Sequence, residues 1–286
     1  MEKLCVMVSS DAASRFRALH ERKGIFVMPN PWDAGTAKLL ADFGFEAIAT
    51  SSAALAWTLA KPDASGGVTR DTAIEHARIL GEASGLPVNG DFESGYGNTP
   101  AEVAETIRRT IDAGVAGCSI EDRVQPGSEI YPLNEALRRF SAAKEAALKS
   151  GSKFVLTGRC EVFGSTHSDP LGEAVRRLMA YEAAGADVVY APGVTKEAEV
   201  RAIVEAVKAP VNVLGGLGGV SNDIAALEKL GVKRVSIGGG LAKVALGAFL
   251  KAAQALANRR FEYDGAAPSS TLNGAFSATS GEDDDD

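Results

Sequence analysis

Cysteine is scarce in this chain of 286 residues, which contains only Cys5, Cys118 and Cys160. Secreted proteins that depend on a disulfide framework usually contain more cysteines, in even number and at regular spacing. The three cysteines here are unevenly placed, so they favour a reducing compartment over a disulfide-bonded scaffold. We therefore expect the protein to be cytoplasmic.

Long apolar segments and a surplus of basic residues are also missing. No apolar stretch follows a basic start at the N-terminus, and no hydrophobic run approaches the ~20 residues needed to cross a bilayer. The formal net charge is -7, to which the terminal acidic run Glu282–Asp286 contributes, so the rest of the chain is close to neutral. The sequence predicts a soluble protein with no membrane or nucleic-acid partner.

The chain does contain an alternation of short β-branched runs with longer stretches of helical period. In Pro100–Ala113, for example, Val103, Ile107 and Ile111 recur at a four-residue step and mark one apolar face. Hydrophobic residues make up 45% of the chain, which is enough for a large core. The predicted strands are Ile25–Pro29, Ala47–Ser51, Pro87–Glu93, Gly117–Asp122, Lys153–Arg159, Asp187–Ala191, Pro210–Leu214 and Arg234–Gly238.

This repetition indicates an α/β protein with a (β/α)8 TIM barrel, because an open doubly wound sheet usually has fewer strands. Glycines directly before predicted strands, such as Gly44 and Gly114, fit the turn from helix to strand. We predict one barrel domain over residues 1–260, with an extra N-terminal helix. Residues 261–286 are predicted to be a flexible Gly/Ser/Asp-rich C-terminal tail, or an arm that contacts a partner.

Carboxylates lie at the ends of the third and fourth predicted strands: Asp91 and Glu93, then Glu121 and Asp122. The active site of such a barrel lies at the carboxyl ends of its strands, so the four acids are predicted to share one mouth. They would repel one another unless protons or a cation neutralised them, and oxygen ligands favour a hard ion. The sequence therefore predicts a site for Mg²⁺, or alternatively Mn²⁺.

The spacing within the first pair adds to this prediction. Because side chains alternate along a strand, Asp91 and Glu93 are expected to point the same way, with Phe92 directed toward the helices. For an isolated pair of this kind, solvated loop acids are the simpler interpretation. The presence of acids at two neighbouring strand ends favours the metal site.

Polar residues at other strand ends predict where an anionic substrate binds. Arg159 ends the fifth predicted strand, and its planar guanidinium suits a carboxylate or phosphonate, although a structural ion pair is the alternative. Thr50, Ser51 and Ser52 follow the second strand and offer hydroxyl and amide donors. We expect these four residues to bind substrate.

Two further residues are placed near this mouth. Asp63 lies in the loop after the second strand and could enter the site if that loop folds inward. Asn212 belongs to the seventh strand, where a hydrogen bond within the core is the alternative to substrate binding. The glycine-rich segments 215–219 and 238–240 follow the last two strands, where many barrels bind small anions.

At these residues the chain resembles the isocitrate lyase and phosphoenolpyruvate mutase superfamily, from about Gly24 to Leu256. The family consists of Mg²⁺-dependent barrels that cleave or form C–C or C–P bonds in 2-oxo or 2-hydroxy acids through enolate-like species. The resemblance rests on the motifs Asn-Pro-Trp-Asp-Ala-Gly at 30–35, Thr-Ser-Ser at 50–52 with Pro-Asp at 62–63, Asp-Phe-Glu-Ser-Gly-Tyr-Gly at 91–97, Gly-Cys-Ser-Ile-Glu-Asp at 117–122 and Gly-Arg at 158–159.

The resemblance implies a role for each acid of the predicted metal site. Asp91 corresponds to the direct metal ligand, and Glu93 and Glu121 correspond to residues that hold the ion through its water molecules. Glu93 stands where many members of the family have aspartate.

It also implies the residues that act on the substrate. Asp63 resembles the family aspartate beside the reacting group, and Arg159 resembles the ligand of the substrate anion; both are predicted to be catalytic. The segment with Ser51 and Ser52 resembles the one whose backbone binds the substrate carboxylate.

The loop after the fourth strand departs from two branches of the family. Residues 123–129 replace the Lys-Cys-Gly-His type loop of the isocitrate and methylisocitrate lyases, so their catalytic cysteine is absent. No lysine occurs between Glu121 and Lys144, which also disfavours mutase chemistry. The sequence thus favours a C–C lyase or decarboxylase for a short 2-oxo or 2-hydroxy dicarboxylic acid. The alternatives are a C–P enzyme, such as a phosphonopyruvate hydrolase or mutase, and a non-catalytic, metal-dependent carboxylate-binding barrel.

Members of this family commonly assemble as homotetramers in which the last helix of one barrel packs on a neighbour. The alanine-rich segment Leu241–Ala257 is suited to such an exchange between subunits. We expect a homo-oligomer whose other partner is a small carboxylate substrate.

Overall fold

Eight parallel strands form one sheet that curves into a barrel surrounded by helices. The computed structural model describes residues 2–277, and side chains from residue 12 onward. The strands are β1 (Phe26–Met28), β2 (Ile48–Ala49), β3 (Val88–Asp91), β4 (Gly117–Glu121), β5 (Val155–Arg159), β6 (Val188–Tyr190), β7 (Val211–Leu214) and β8 (Arg234–Ser236). The helices are α1 (Glu2–Glu21), α2 (Ala34–Asp42), α3 (Ser52–Thr58), α4 (Arg70–Ser84), α5 (Pro100–Asp112), α6 (Leu133–Lys149), α7 (Pro170–Ala183), α8 (Glu197–Ala206), α9 (Ile224–Lys229), α10 (Gly240–Ala257) and α11 (Ser269–Ser277).

The order of the strands confirms the predicted (β/α)8 barrel. Each strand pairs with its neighbour in sequence from β2 to β8, and β8 also pairs with β1. The remaining gap is bridged beyond the end of β1, where the Ala49 amide donates to the Pro29 carbonyl at 2.9 Å. Every observed strand lies within the run predicted for it, because buried parallel strands are short and rich in β-branched residues.

Two apolar clusters stabilise the barrel. The larger one fills the layer between the strands and the surrounding helices. The smaller one lies inside the barrel, where Phe16 and Leu19 of α1 pack against Phe26, Met28 and other strand residues. We call Phe16 and Leu19 the plug. The extra N-terminal helix predicted from the sequence therefore closes the end of the barrel opposite the carboxyl ends of the strands.

Individual residues determine how the plug packs and where a helix begins. A Cβ atom on Gly117 would lie 2.6 Å from the Val155 carbonyl oxygen and 2.9 Å from the Phe16 ring, so only glycine fits at that strand position. At α5, Thr99 and Glu102 form a reciprocal capping box ahead of the apolar face. These features place the helices around the barrel and leave its other end open.

The last two helices, α10 and α11, lie at the C-terminal end of the described residues. Helix α11 lies within the segment predicted to be flexible, and the Phe276 ring comes within 3.6 Å of the point that a Cβ atom on Gly35 would occupy. The rest of the predicted tail, 278–286, lies outside the described residues. Helix α10 is long and apolar enough to cross a membrane by length and composition alone, although no apolar run approaching that length was expected.

The plug gives the first prediction. Phe16 is fully buried, so Phe16→Ala should lower the free energy of unfolding by about 3–5 kcal/mol, through lost burial and the cavity left behind. Equilibrium urea denaturation measures this difference. Phe43→Ala is the matched control, because Phe43 is 81% exposed and its loss should change stability by less than about 0.5 kcal/mol. Equal effects of the two substitutions would contradict the placement of α1.

Candidate active site

A cavity of about 240 Å³ opens at the carboxyl ends of the strands and extends into the barrel. Its mouth includes Ser52, Asp63, Asp91 and Arg159, all of which the sequence placed at the site. Its inner wall includes residues from the middle and the beginning of strands: Asn89, Ser119, Asn212 and Arg234. The cavity is therefore polar from the mouth to the interior.

Arg159 pairs with three carboxylates at this mouth. Its Nη1 lies 2.9 Å from Asp91 Oδ1, its Nη2 3.2 Å from Glu121 Oε2, and its Nε 2.5 Å from Glu161 Oε1. The face of Tyr190 lies beneath the guanidinium, with the ring centroid 5.6 Å away. The pKa of Arg159 is well above its ordinary value, since the attraction of the three acids outweighs the effect of burial.

The carboxylate of Asp91 is held from two sides. Its Oδ2 accepts hydrogen bonds from the Ser52 amide at 3.0 Å and from the Ser52 hydroxyl at 2.9 Å, while Oδ1 faces Arg159. The Asp91 amide donates to the Thr50 hydroxyl at 2.7 Å. Ser52 begins α3 after the N-cap Ser51, so the carboxylate also lies at the positive end of a helix. Ser52 was expected to donate hydrogen bonds to a substrate anion. In this structure it donates them to Asp91.

Glu93 does not continue the strand, contrary to the expectation from alternation. Strand β3 ends at Asp91, Phe92 is fully buried among the helices, and Glu93 has a left-handed backbone with φ of +47°. Its side chain is nevertheless directed back to the acids. Burial, followed by the charges of Asp91 and Asp63, raises the pKa of Glu93 to about 7.

Glu121 ends β4 and is buried. Its Oε1 accepts a hydrogen bond from Gln125 at 3.0 Å, and its Oε2 faces Arg159. Burial raises the pKa of Glu121 despite this contact, because the one guanidinium also serves Asp91 and Glu161. With these acids ionised, excess negative charge remains near Arg159, and the raised pKa values of Glu93 and Glu121 indicate that a proton or a cation offsets it.

Asp122 is directed away from the mouth, which corrects the prediction of four acids there. Its carboxylate accepts hydrogen bonds from the Glu161 amide at 2.8 Å, from Arg177 at 3.0 Å and from the Tyr181 hydroxyl at 2.8 Å. Side chains alternate along β4, so the residue after the inward-facing Glu121 turns toward the helices. Asp122 joins β4 to α7 and to the segment that positions Glu161.

The chemistry of the donors fits a divalent cation. Within residues 12–277, no three or more His, Cys, Asp and Glu side chains are arranged as a metal-binding group, so Asp91, Glu93 and Glu121 do not form a closed cage. Mg²⁺ usually takes only one or two protein carboxylates and keeps several waters. Of the three predicted ligands only Asp91 lines the cavity. The set of oxygen donors and the excess buried negative charge suit such an ion, and the predicted ligand set stays a prediction.

The other predicted site residues also line the cavity. Thr50, Ser51 and Asp63 do so at the mouth. Asn212 lines it too, but its amide is already used: Nδ2 donates to the Ser236 hydroxyl at 3.0 Å, and Oδ1 accepts from Arg234 at 2.8 Å. The hydrogen bond within the core, considered as an alternative for Asn212, is thus present.

Two charged residues of the site were given no role from the sequence. Glu161 lies two residues after Arg159 and pairs with both Arg159 and Arg123. Arg234 is the first residue of β8. Its position inside a strand predicted to be buried was the sequence signal that could have drawn attention to it. Both became interpretable only once the barrel placed them beside residues far away in sequence.

The sequence profile of the family described as phosphoenolpyruvate phosphomutase matches residues 16–257. The chain belongs to this family. The matched region begins within α1 and ends at the last residue of α10, so it contains the barrel, the plug and the cavity. Family membership confirms the resemblance inferred from the strand-end motifs.

Several known proteins are similar to this chain at moderate sequence identity. The probable 2-methylisocitrate lyase 1 of Corynebacterium glutamicum is 32% identical over 65% of this chain and 61% of its own length. The oxaloacetate decarboxylase of Bradyrhizobium diazoefficiens is 30% identical over 78% of this chain and 76% of its own. A solved structure from Burkholderia cenocepacia J2315, described as a candidate lyase/mutase, is 46% identical, covers 95% of this chain and 97% of its own, and has a TM-score of 0.89.

The raised pKa of Glu93 predicts how the free energy of unfolding of the metal-free protein depends on pH. The folded state keeps a proton on Glu93 that the unfolded state releases above about pH 4.5. This group therefore makes stability fall as pH rises from about 4.5 through about 7, and its effect levels off at higher pH. Urea denaturation in EDTA at pH 5.5 and 8.5 should show a fall that is roughly 1–2 kcal/mol smaller in Glu93→Gln.

Glu105→Gln is the control for this measurement. Glu105 lies on the exposed face of α5 and pairs with Arg108, so its substitution should leave the pH dependence as in the wild type. An identical slope in wild type and Glu93→Gln would show that Glu93 is not the group responsible.

Proposed function

We propose that this chain is a Mg²⁺-dependent lyase or decarboxylase that cleaves a C–C bond in a short 2-oxo or 2-hydroxy dicarboxylic acid. The observation that carries the proposal is the mouth of the cavity, where Asp91, Arg159 and Ser52 place a carboxylate, a fixed cation and amide and hydroxyl donors in direct contact. Two relatives are named as a probable 2-methylisocitrate lyase and an oxaloacetate decarboxylase, and these names support the same class of reaction.

Breaking the C–C bond leaves an electron pair on the carbon next to the oxo group, so catalysis depends on positive charge beside the resulting enolate oxygen. A bound Mg²⁺ supplies Lewis-acid chemistry at the substrate oxygens. Asp91 would hold the ion directly, with Glu93 and Glu121 binding its waters. Arg159 would orient the substrate carboxylate, and the Ser52 amide at the start of α3 would be a further hydrogen-bond donor at the same mouth.

The size of the cavity supports a short substrate. Ligand pockets usually range from about 300 to 1,000 Å³, and this cavity has about 240 Å³. Asp63 lies on its wall beside the mouth, as expected for a residue next to the reacting group. A small acid fits the available space.

C–P bond chemistry on phosphonopyruvate is the second candidate function, because the matching family is described as a phosphomutase. The loop after β4 argues against it. Arg123 is the cationic residue of this loop, and it pairs with Glu161 instead of facing the cavity. A third candidate, a barrel that binds carboxylates without turnover, rests on the lack of an assigned general acid.

Turnover tests these candidates directly. Pyruvate release from oxaloacetate and substituted malates, measured with Mg²⁺ and corrected for spontaneous decay, should fall at least about 1,000-fold in kcat/KM in Asp91→Asn. Asp71→Asn is the control. Asp71 lies exposed on α4 and pairs with Arg109 of α5, so this substitution should leave turnover unchanged. Phosphate release from phosphonopyruvate without pyruvate release from the other acids would favour C–P cleavage. Binding of oxalate with no turnover of any acid would favour the non-catalytic candidate.

We also propose that the chain forms a homo-oligomer through α10. This helix exposes a row of large apolar side chains, including Val244 at 63%, Phe249 at 65% and Leu250 at 65%. A contiguous apolar surface of this kind marks an interface with protein or lipid. We propose a second copy of the chain as the partner of α10 because members of the family are expected to form homo-oligomers. The cytoplasmic location and the absence of nucleic-acid partners stay predictions.

Light scattering coupled to size exclusion tests this assembly. The wild type should have a mass near four times 29.6 kDa without detergent, and Phe249→Glu should reduce it, because a charge cannot be buried unpaired in the interface. Phe43→Glu is the control on an exposed phenylalanine outside α10. A monomeric wild type, or one that needs detergent to stay in solution, would contradict the proposed assembly.

A further inference from the structure

The middle of this barrel is unusually polar. TIM barrel interiors are normally filled by layers of bulky branched side chains. Here the inner wall of the cavity is formed by Asn89, Ser119, Asn212 and Arg234, and Thr157 contacts Arg234 from β5. Below them the apolar plug closes the barrel. We call Asn89, Ser119 and Arg234 the floor of the cavity.

Arg234 is a buried cation whose hydrogen-bond partners, Asn212, Thr157 and His20, are all neutral. It is 1% exposed, and it donates to Asn212 Oδ1 at 2.8 Å and to Thr157 Oγ1 at 3.0 Å. Its Nη1 lies 3.2 Å from His20 Nε2. Burial, followed by the charge of Arg234, lowers the pKa of His20 to about 3, so the imidazole is neutral and accepts this hydrogen bond. Within residues 12–277, Arg234 forms no ion pair with a carboxylate.

The floor has hydrogen-bonding capacity left over. A guanidinium carries five N–H groups, of which the three contacts of Arg234 use three. The Asn89 Oδ1 is buried without a hydrogen-bond partner, and Asn89 is 4% exposed. The Ser119 hydroxyl likewise has no partner among the described residues. Since the oxygen and nitrogen of an amide are interchangeable in assignment, Asn89 can present either to a ligand.

The charge on the floor is opposite to the charge at the mouth. At the mouth, Asp91, Glu121 and Glu161 share Arg159, and the excess negative charge suits a cation. At the floor, an unpaired guanidinium is buried, which costs several kcal/mol unless an anion or other strong acceptor offsets it. Both ends belong to one continuous cavity. The cavity is therefore polarised along the barrel axis.

We infer that the floor is a second binding subsite, in which Arg234, Asn89 and Ser119 bind a carboxylate of a small organic acid. A dicarboxylic acid places one carboxylate on the floor and leaves its other carboxylate and its oxo or hydroxy group at the mouth. The inference rests on the proposed function for the identity of the acid. Binding to the floor needs no cation, so it is separable from turnover.

Isothermal titration of the metal-free, full-length protein in EDTA tests this subsite, with malonate as the probe. Wild type should bind malonate, and Ser119→Ala and Arg234→Gln should each weaken binding by at least about tenfold, since each removes a hydrogen bond to a charged group. Arg234→Lys should retain part of the affinity, because it keeps the charge. Ser84→Ala, a serine at the end of α4 that bonds to Leu80, should bind as the wild type does.

The outcomes separate the subsite from the enzyme. Malonate binding that is insensitive to Ser119→Ala and to Arg234→Gln would overturn the inference, as would a crystal soaked in malonate that shows only water on the floor. If Arg234→Gln does not fold, Ser119→Ala and Asn89→Ala decide alone. Malonate binding that depends on the floor, without turnover of any acid, would refute the proposed lyase and support the subsite. Turnover with an unchanged KM in Ser119→Ala would support the lyase and refute the subsite.

Discussion

The ion pairs of Arg159 with Asp91, Glu121 and Glu161 are the interaction on which the candidate site depends. They bring together the ends of β3, β4 and β5. The Arg159 guanidinium lets the buried Glu121 and Glu161 lie beside the half-buried Asp91, and Arg123 is a second partner of Glu161. Burial raises the pKa of Glu121 even though Arg159 lowers it, so this acid favours a proton or a cation beside it. In the proposed reaction, the Arg159 guanidinium also binds the carboxylate of the substrate.

The barrel supports this concentration of charge from both sides. Outside the strands, Asp122 accepts from Arg177 and Tyr181 and fixes the Glu161 amide, so β4 and α7 hold the acids in place. The loop after β3 is held by Arg139, which donates to the Ser94 and Gly97 carbonyls at 2.7 Å each. Inside, the plug seals the far end. A rigid frame of this kind positions a mouth and a floor of opposite charge in one small cavity.

The sequence predicted the architecture well, because a repeated change between strand and helix periods is a local signal. All eight strands and the strand-end positions of Asp91, Glu121 and Arg159 followed from it. The directions of individual side chains were less predictable. Glu93 leaves the strand through a left-handed backbone, and Ser52 binds Asp91. These features, like the isolation of Arg234 on the floor, depend on contacts between segments far apart in the chain.

The proposed function requires the mouth to bind a divalent cation and a small acid together. Titration of Mn²⁺, followed by electron paramagnetic resonance with and without oxalate, measures this directly. We expect one bound Mn²⁺ per chain, tighter binding when oxalate is present because the coupling between the two ligands is reciprocal, and loss of the site in Asp91→Asn. Equal Mn²⁺ binding by wild type and Asp91→Asn, or no effect of oxalate, would show that the mouth is not a shared site for a cation and an acid.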